Sequence, residues 1–164
     1  MEEKMRSIKI IIRSIVAIVL ILGINVTTFA SENSLNPVVD GSVLINETHS
    51  EQTLNGDVRG NILNQGTAKV TDNGNGSVNV YGAVYGSVTC DKLILKMTLQ
   101  RYSNGSWYNI RTFSDTAYNT ALLTKSYNVQ VTRGYHYRVK AACVAQDGSI
   151  TESKTPITDG IYIN

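Results

Sequence analysis

The stretch Lys92-Leu-Ile-Leu-Lys-Met-Thr-Leu-Gln-Arg-Tyr102, followed by Ser103-Asn-Gly-Ser106 and Trp107-Tyr-Asn-Ile-Arg-Thr-Phe113, carries the clearest structural signal in the chain. Leu93, Leu95, Met97 and Leu99 fall on one side of an extended backbone. Ile94, Lys96, Thr98 and Gln100 fall on the other. A period of two marks a half-buried β-strand. Asn104-Gly105 is the dipeptide that favours a tight hairpin, because both turn positions need positive φ. The segment therefore predicts a strand over Lys92–Tyr102 and a return strand over Trp107–Phe113.

The same pattern extends outward in both directions. Thr67–Thr71 reads as a short strand, and Asp72-Asn-Gly-Asn-Gly76 as a turn. Ser77–Tyr85 alternates, with Val78, Val80 and Val84 on one face and Asn79, Tyr81 and Tyr85 on the other. Ser114–Thr120 is polar and loop-like. Leu122–Thr132 is a further strand, and Arg133-Gly134 a turn. Tyr135–Ala145 places Tyr135, Tyr137, Val139, Ala141 and Cys143 inward and His136, Arg138 and Lys140 outward. After Asp147-Gly148, Ile150–Ile163 closes the sheet, with Pro156 at an edge or bend because it has no N–H for a ladder. About seven short strands with frequent turns and no helical periodicity predict an all-β, antiparallel sandwich over residues 64–164.

Upstream the character changes. Residues 31–63 read as an irregular, polar leader with one short strand. Residues 1–30 read as an export signal: Lys4, Arg6, Lys9 and Arg13, an apolar run from Ile15 to Ile24, then Thr28-Phe-Ala30 before Ser31. The competing reading is an uncleaved signal anchor. No cysteine stands directly after the apolar run, which argues against a lipid anchor. The expected product is secreted and extracellular, without membrane insertion after cleavage.

Charge narrows the function classes. The 164-residue chain carries 15 Lys+Arg and 13 Asp+Glu, of which four cations and two anions lie in residues 1–30. The remainder holds 11 of each and is neutral by count. Such a balance argues against nucleic-acid binding driven by phosphate contacts. Cys90 and Cys143 are the two cysteines. Outside the cell they have one possible intramolecular pairing, closing a loop of about 53 residues and contributing roughly 3–4 kcal/mol if formed. The alternative is two unpaired small residues.

The chemistry-bearing motifs are missing. There is no Gly-x-Ser-x-Gly, no His-Glu-x-x-His and no glycine-rich phosphate loop in the sequence. No metal site is expected from His49 and His136, which are far apart, and no cofactor is implied. Asp57, Asp72, Asp91, Asp115, Asp147 and Asp159 sit mostly in turn-like contexts, where aspartate bonds its own backbone. His136 reads as part of a solvated face. The tyrosines carry the functional content: Tyr81 and Tyr85 share one face, while Trp107 and Tyr108 flank a hairpin. Exposed aromatic rings stack on sugars or anchor protein contacts. The expectation is a non-enzymatic binding or structural protein. A carbohydrate or cell-wall module using Tyr81, Tyr85, Trp107 and Tyr108 is one alternative, and a small secreted hydrolase with an unrecognised site is another. The partner, a cell-surface glycan or protein, is left open.

Tyr135-His-Tyr-Arg-Val-Lys-Ala141 resembles strand F of fibronectin type III and immunoglobulin-like sandwiches. The resemblance implies that Tyr135 is the tyrosine-corner residue and that Leu93–Tyr102 and Trp107–Phe113 are the C and C′ strands. It also implies that Cys90 and Cys143 lie at the same end of neighbouring strands, with Cys90 off the inward parity unless a bulge at Asp91 intervenes. Residues 59–163 further resemble an uncharacterised family of small secreted Gram-positive (Firmicutes) proteins. The segments that carry this are Arg59-Gly-Asn-Ile-Leu-Asn-Gln-Gly66, Asn73-Gly-Asn-Gly76, Leu99-Gln-Arg-Tyr-Ser-Asn-Gly-Ser-Trp107, Gly134-Tyr-His-Tyr-Arg-Val-Lys140 and Thr158-Asp-Gly-Ile161. That resemblance implies compartment and fold and brings no catalytic residues.

Overall fold

A computed structural model describes residues 36–57 and 62–164. The expected export signal and part of the expected leader lie outside these residues. The described chain is all-β and contains nine strands: β1 Val38–Val39, β2 Ser42–Ile45, β3 His49–Asn55, β4 Leu63–Gly74, β5 Ser77–Ser103, β6 Ser106–Gln130, β7 Tyr135–Asp147, β8 Ile150–Lys154 and β9 Gly160–Ile163. They form one sheet ordered β1-β2-β9-β7-β5-β4-β3, with β6 also on β5 and β8 on β7. The sheet is mixed, not purely antiparallel as the alternation suggested, because β2 runs parallel to β9.

β5 dictates the architecture. Its 27 residues would run roughly 90 Å if straight, whereas a globule of this size has a radius of gyration near 14 Å. The strand must bend, and it does so between Tyr85 and Cys90, where its register against β6 shifts. Before the bend it pairs with β4, from Ser77 to Gly86. After the bend it pairs with β7, from Lys92 to Arg101. β6 follows it through both arms. The sheet therefore curls, bringing the two inner faces together. A Cβ on Gly82, in the first arm, would lie 2.7 Å from Met97 Sδ in the second. A Cβ on Gly66 of β4 would lie 2.9 Å from that of Cys143 on β7.

The alternating residues fill the space between the arms. Val78, Val80 and Val84 of the first arm and Leu93, Leu95, Met97 and Leu99 of the second are wholly buried, as are Val139, Ala141, Cys143 and Ala145 of β7. The open mouth along β6 is closed by β6 itself. Phe113 stacks on Tyr127 with centroids 4.1 Å apart, and Tyr127 donates its hydroxyl to Asp115 at 2.8 Å. Lys125 reaches the same carboxylate at 3.6 Å. On the other side Asp159 N–H donates to Ser50 Oγ, Leu63 N–H to Glu152 Oε2, and Lys154 pairs with Asp57.

Several expectations change. Ser114–Thr120 is strand, not loop, since each of its alternate residues pairs across to β5. The segment expected to be irregular forms β1, β2 and β3. Its turn residues Asp40 and Gly41 take positive φ (49° and 77°), a hairpin geometry that few apolar residues are needed to support. The hydroxyl-to-backbone bond expected of Tyr135 is made by Tyr137 instead. Tyr137 is buried and donates its hydroxyl to Thr132 O at 2.7 Å, whereas Tyr135 carries the Arg101 guanidinium 4.5 Å from its ring.

Two measurements check this packing. Gly82→Val should cost about 1–3 kcal/mol in urea unfolding, because the added carbons meet Met97 and Leu95. Tyr137→Phe should cost about 1 kcal/mol by losing one bond to a backbone carbonyl.

Candidate binding groove

The outer face of the first arm is a set of cross-strand rows. One runs Glu51–Lys69–Tyr81–Ser126 and the next runs Thr53–Thr67–Ala83–Thr124. A third runs Asn55–Gln65–Tyr85–Leu122, and on the far side of the Tyr81 row lies His49–Thr71–Asn79–Asn128. Tyr81 and Tyr85 are four residues apart on one strand, so they straddle Ala83. Ala83 between them is wholly buried. The two rings thus form one wall over a low floor.

That wall lines a groove of about 480 Å³ together with Gln65, Thr67, Lys69, Asn73, Asn79 and Glu51. Lys69 and Glu51 form an ion pair at 3.3 Å. Thr67 Oγ1 lies 3.0 Å from Thr53 Oγ1 and accepts from Gln65 Nε2 at 3.2 Å. At the other end Asn128 Oδ1 accepts from both Asn73 and Asn79, at 3.0 and 2.9 Å. Asn79 also donates to Ser126 at 2.8 Å. Burial, then the neighbouring Tyr85 hydroxyl, pushes the Tyr81 phenol above its ordinary value, so it stays a neutral hydroxyl. The groove presents ring faces, amides, hydroxyls and one charge pair in fixed positions, a mixture that recognises orientation-specific polar ligands.

The four aromatic residues singled out in the sequence do not form one surface. Tyr81 and Tyr85 belong to the first arm. Trp107 and Tyr108 sit at the far tip of the β5–β6 hairpin, paired with Tyr102 and Arg101. Register slips at Ile110, which has no partner on β5, so Trp107 and Tyr108 change faces relative to the strict alternation. Tyr108 is half exposed. Trp107 is consumed by packing. Its indole N–H donates to Val39 O at 3.2 Å, and its ring tilts against Tyr102 at 5.4 Å. A Cβ on Gly160 would come within 2.6 Å of it.

Arg138, expected on an outward face, is 1% exposed. Its guanidinium lies 4.3 Å over the Trp107 ring. Nη1 donates to Ser42 Oγ and Nη2 to Asp40 Oδ2, both at 2.8 Å, and Nε donates to Gln100 Oε1 at 2.8 Å. The β1–β2 turn covers it, and that cover is what the alternation does not reveal. His136 is half-buried against Tyr162, and its burial lowers its pKa.

The cysteines are both buried and free. Cys143 stands opposite Leu95, with Cys90 five residues further along β5. Both thiols are free here, Cys90 lying five positions along β5 from the partner of Cys143. Desolvation pushes the Cys143 thiol up to about 12. Asp72 caps its own turn at Gly74 N–H, Asp91 accepts from Gly148 N–H, and Asp159 from Val43 N–H. These carboxylates hold loops.

No family model matches the chain, and no curated protein matches it. Among solved structures it is similar to the sporulation control protein Spo0M of Bacillus subtilis, with a TM-score of 0.30 and 10% identity. The match covers 72% of this chain and 51% of that one, so the chain spans about half of that protein's length.

The guanidinium of Arg138 holds the Asp40 carboxyl below its ordinary value of 3.8. A carboxylate with a lowered folded pKa stabilises above the unfolded value and loses that contribution as pH falls through the folded one. Emission from Trp107, the one tryptophan, should therefore shift as pH drops below 3.8. Asp40→Asn should show the acid-form emission already at neutral pH, without that step.

Proposed function

We propose that this chain is an exported, non-enzymatic binding protein whose groove at Tyr81 and Tyr85 takes a carbohydrate. The observation that carries the reading is the placing of two tyrosines on one outward strand face, in the lining of one groove, beside a row of amides and an ion pair. Sugars offer exactly this complement in reverse: apolar C–H faces for rings, and hydroxyls that both donate and accept. The export pattern in residues 1–30 and the likeness of residues 59–163 to small secreted Gram-positive proteins support an extracellular setting, where surface glycans are the abundant polyhydroxylated ligand.

The same reading extends to architecture. We infer kinship in design with immunoglobulin-like and fibronectin type III sandwiches. Its support is the corner bond of Tyr137 and the antiparallel pairing of β5 with β7, which occupy the places of strands C and F in such domains.

Retention of the purified protein on peptidoglycan and on insoluble glycans, followed by calorimetry with the soluble fragments of whichever glycan retains it, tests the assignment. Tyr81→Ala and Tyr85→Ala should each weaken binding about tenfold or more, roughly 1.4 kcal/mol. Tyr108→Ala should leave it unchanged. Absence of retention on every glycan, or equal loss from all three variants, removes the proposal.

A further inference from the structure

The outer face of the second arm holds a different site, and the geometry points to a phosphate-type oxyanion as its ligand. It stands independently of the carbohydrate reading, since it shares no residue with the Tyr81–Tyr85 groove. Three consecutive same-face rows of β6, β5 and β7 contain Lys96, Lys140 and Arg138 and no carboxylate. Lys96 pairs across to Ala142, and Thr98 to Lys140, which makes the two lysines diagonal neighbours. Like charges so placed on a sheet oppose one another. Lys92, two rows further along the same face of β5, likewise has no ion pair among the described residues. Lys69, Lys125 and Lys154 each pair with a carboxylate within 4 Å, at Glu51, Asp115 and Asp57. Among the described residues no such ion pair serves Lys96 or Lys140. Asp40 feels Lys140 at longer range, but its carboxylate is engaged by Arg138.

The hydrogen bonds sort the lining into donors. Arg138 has no acceptor atom, so Gln100 must face it with Oε1, which it does at 2.8 Å. Gln100 Nε2 is then the donor on the other side, and it reaches Asn109 Oδ1 at 2.8 Å. That fixes the second amide too, and turns Asn109 Nδ2, a donor, away from the shared bond. Buried Arg138 thereby sets the polarity of both amides. Thr98 and Thr112 share one bond at 3.2 Å, leaving one hydroxyl hydrogen over. The depression between these groups measures about 280 Å³, with Ala142 as a small residue in its lining. Lys96, Lys140, Thr98, Gln100 and Asn109 line it, while the amide oxygens of Gln100 and Asn109 are already engaged. An oxyanion with several oxygens accepts from their donors and relieves the opposition of the two lysines.

Amide shifts in NMR titrations, and affinities by calorimetry at low and raised salt, test this with two probes: inorganic phosphate and polyphosphate. Both should perturb the amides around Thr98 and Lys140 if a single phosphate suffices; perturbation by polyphosphate alone assigns a polymer-borne group, and either result supports the site. Lys96→Gln and Lys140→Gln should each weaken polyphosphate binding about tenfold and lower the log–log salt slope by about one. Asn109→Asp keeps the bond to Gln100 but puts a charge in the depression, and should abolish binding. Lys154→Gln and Tyr81→Ala should bind as the parent does. Failure of both probes, unchanged binding in the lysine variants, or an equal loss in Lys154→Gln would overturn the site. Binding to phosphatidylglycerol vesicles without binding to polyphosphate would overturn it as well, in favour of a membrane surface.

Discussion

A strand too long to stay straight sets the form of this protein. β5 carries its apolar side chains at every second position on both sides of a bend, so each arm has a face to bury. Folding one arm over the other serves both at once, because among the described residues neither arm has another layer to cover it. β6 is hydrogen-bonded to β5 throughout and must bend with it. The Phe113–Tyr127 stack and the Asp115–Tyr127 bond are consequences. They join residues 14 and 12 apart on one strand, which is possible only because that strand has doubled back.

The alternation at Leu93–Leu99 and at Val78–Val84 was legible because period-two patterning reports directly on which side faces the interior. Three features were not. Ser114–Thr120 contains no large apolar residue except Tyr118, so its strand state comes from the backbone ladder to β5 and leaves no mark in side-chain hydrophobicity. The region of β1–β3 has apolar runs of only two and three residues, Val38-Val39 and Val43-Leu-Ile45, too short to show a period, followed by a polar β3. It is held by turn geometry at Asp40-Gly41 and by specific polar bonds to distant residues, Arg138 and Asp159 among them. Arg138 itself misleads: a cation at an outward position reads as solvated, and only a segment about 96 residues away in sequence, at Ser42, converts it into a buried hub.

The candidate groove was half legible. Tyr81 and Tyr85 share a face by parity alone, and their neighbours on β3, β4 and β6 follow once register is known. The grouping with Trp107 and Tyr108 fails for a mechanical reason. One extra residue in β6, at Ile110, swaps the faces of everything between it and the turn. Trp107 then lies on the side where Arg138 and the β1–β2 turn need a cover, and its ring is spent on that contact.

Neutrality by count hides a separation of charge, and this bears on what the two outer faces do. On the first arm Glu51 answers Lys69 beside the tyrosines, so the field there is balanced. On the second arm the cations of three adjacent rows meet no carboxylate on their own face, and the one acid nearby, Asp40, arrives from the covering turn. A chain under pressure only to remain soluble would be expected to intersperse its signs on both faces. The segregation instead gives one curled sheet two faces of different character, one with its charges paired beside tyrosines and one carrying cations without carboxylates in their rows. Because β5 contributes residues to both, through Tyr81 and Tyr85 before its bend and Lys96 and Thr98 after it, the bend that builds the core also fixes the two faces on a single rigid ladder.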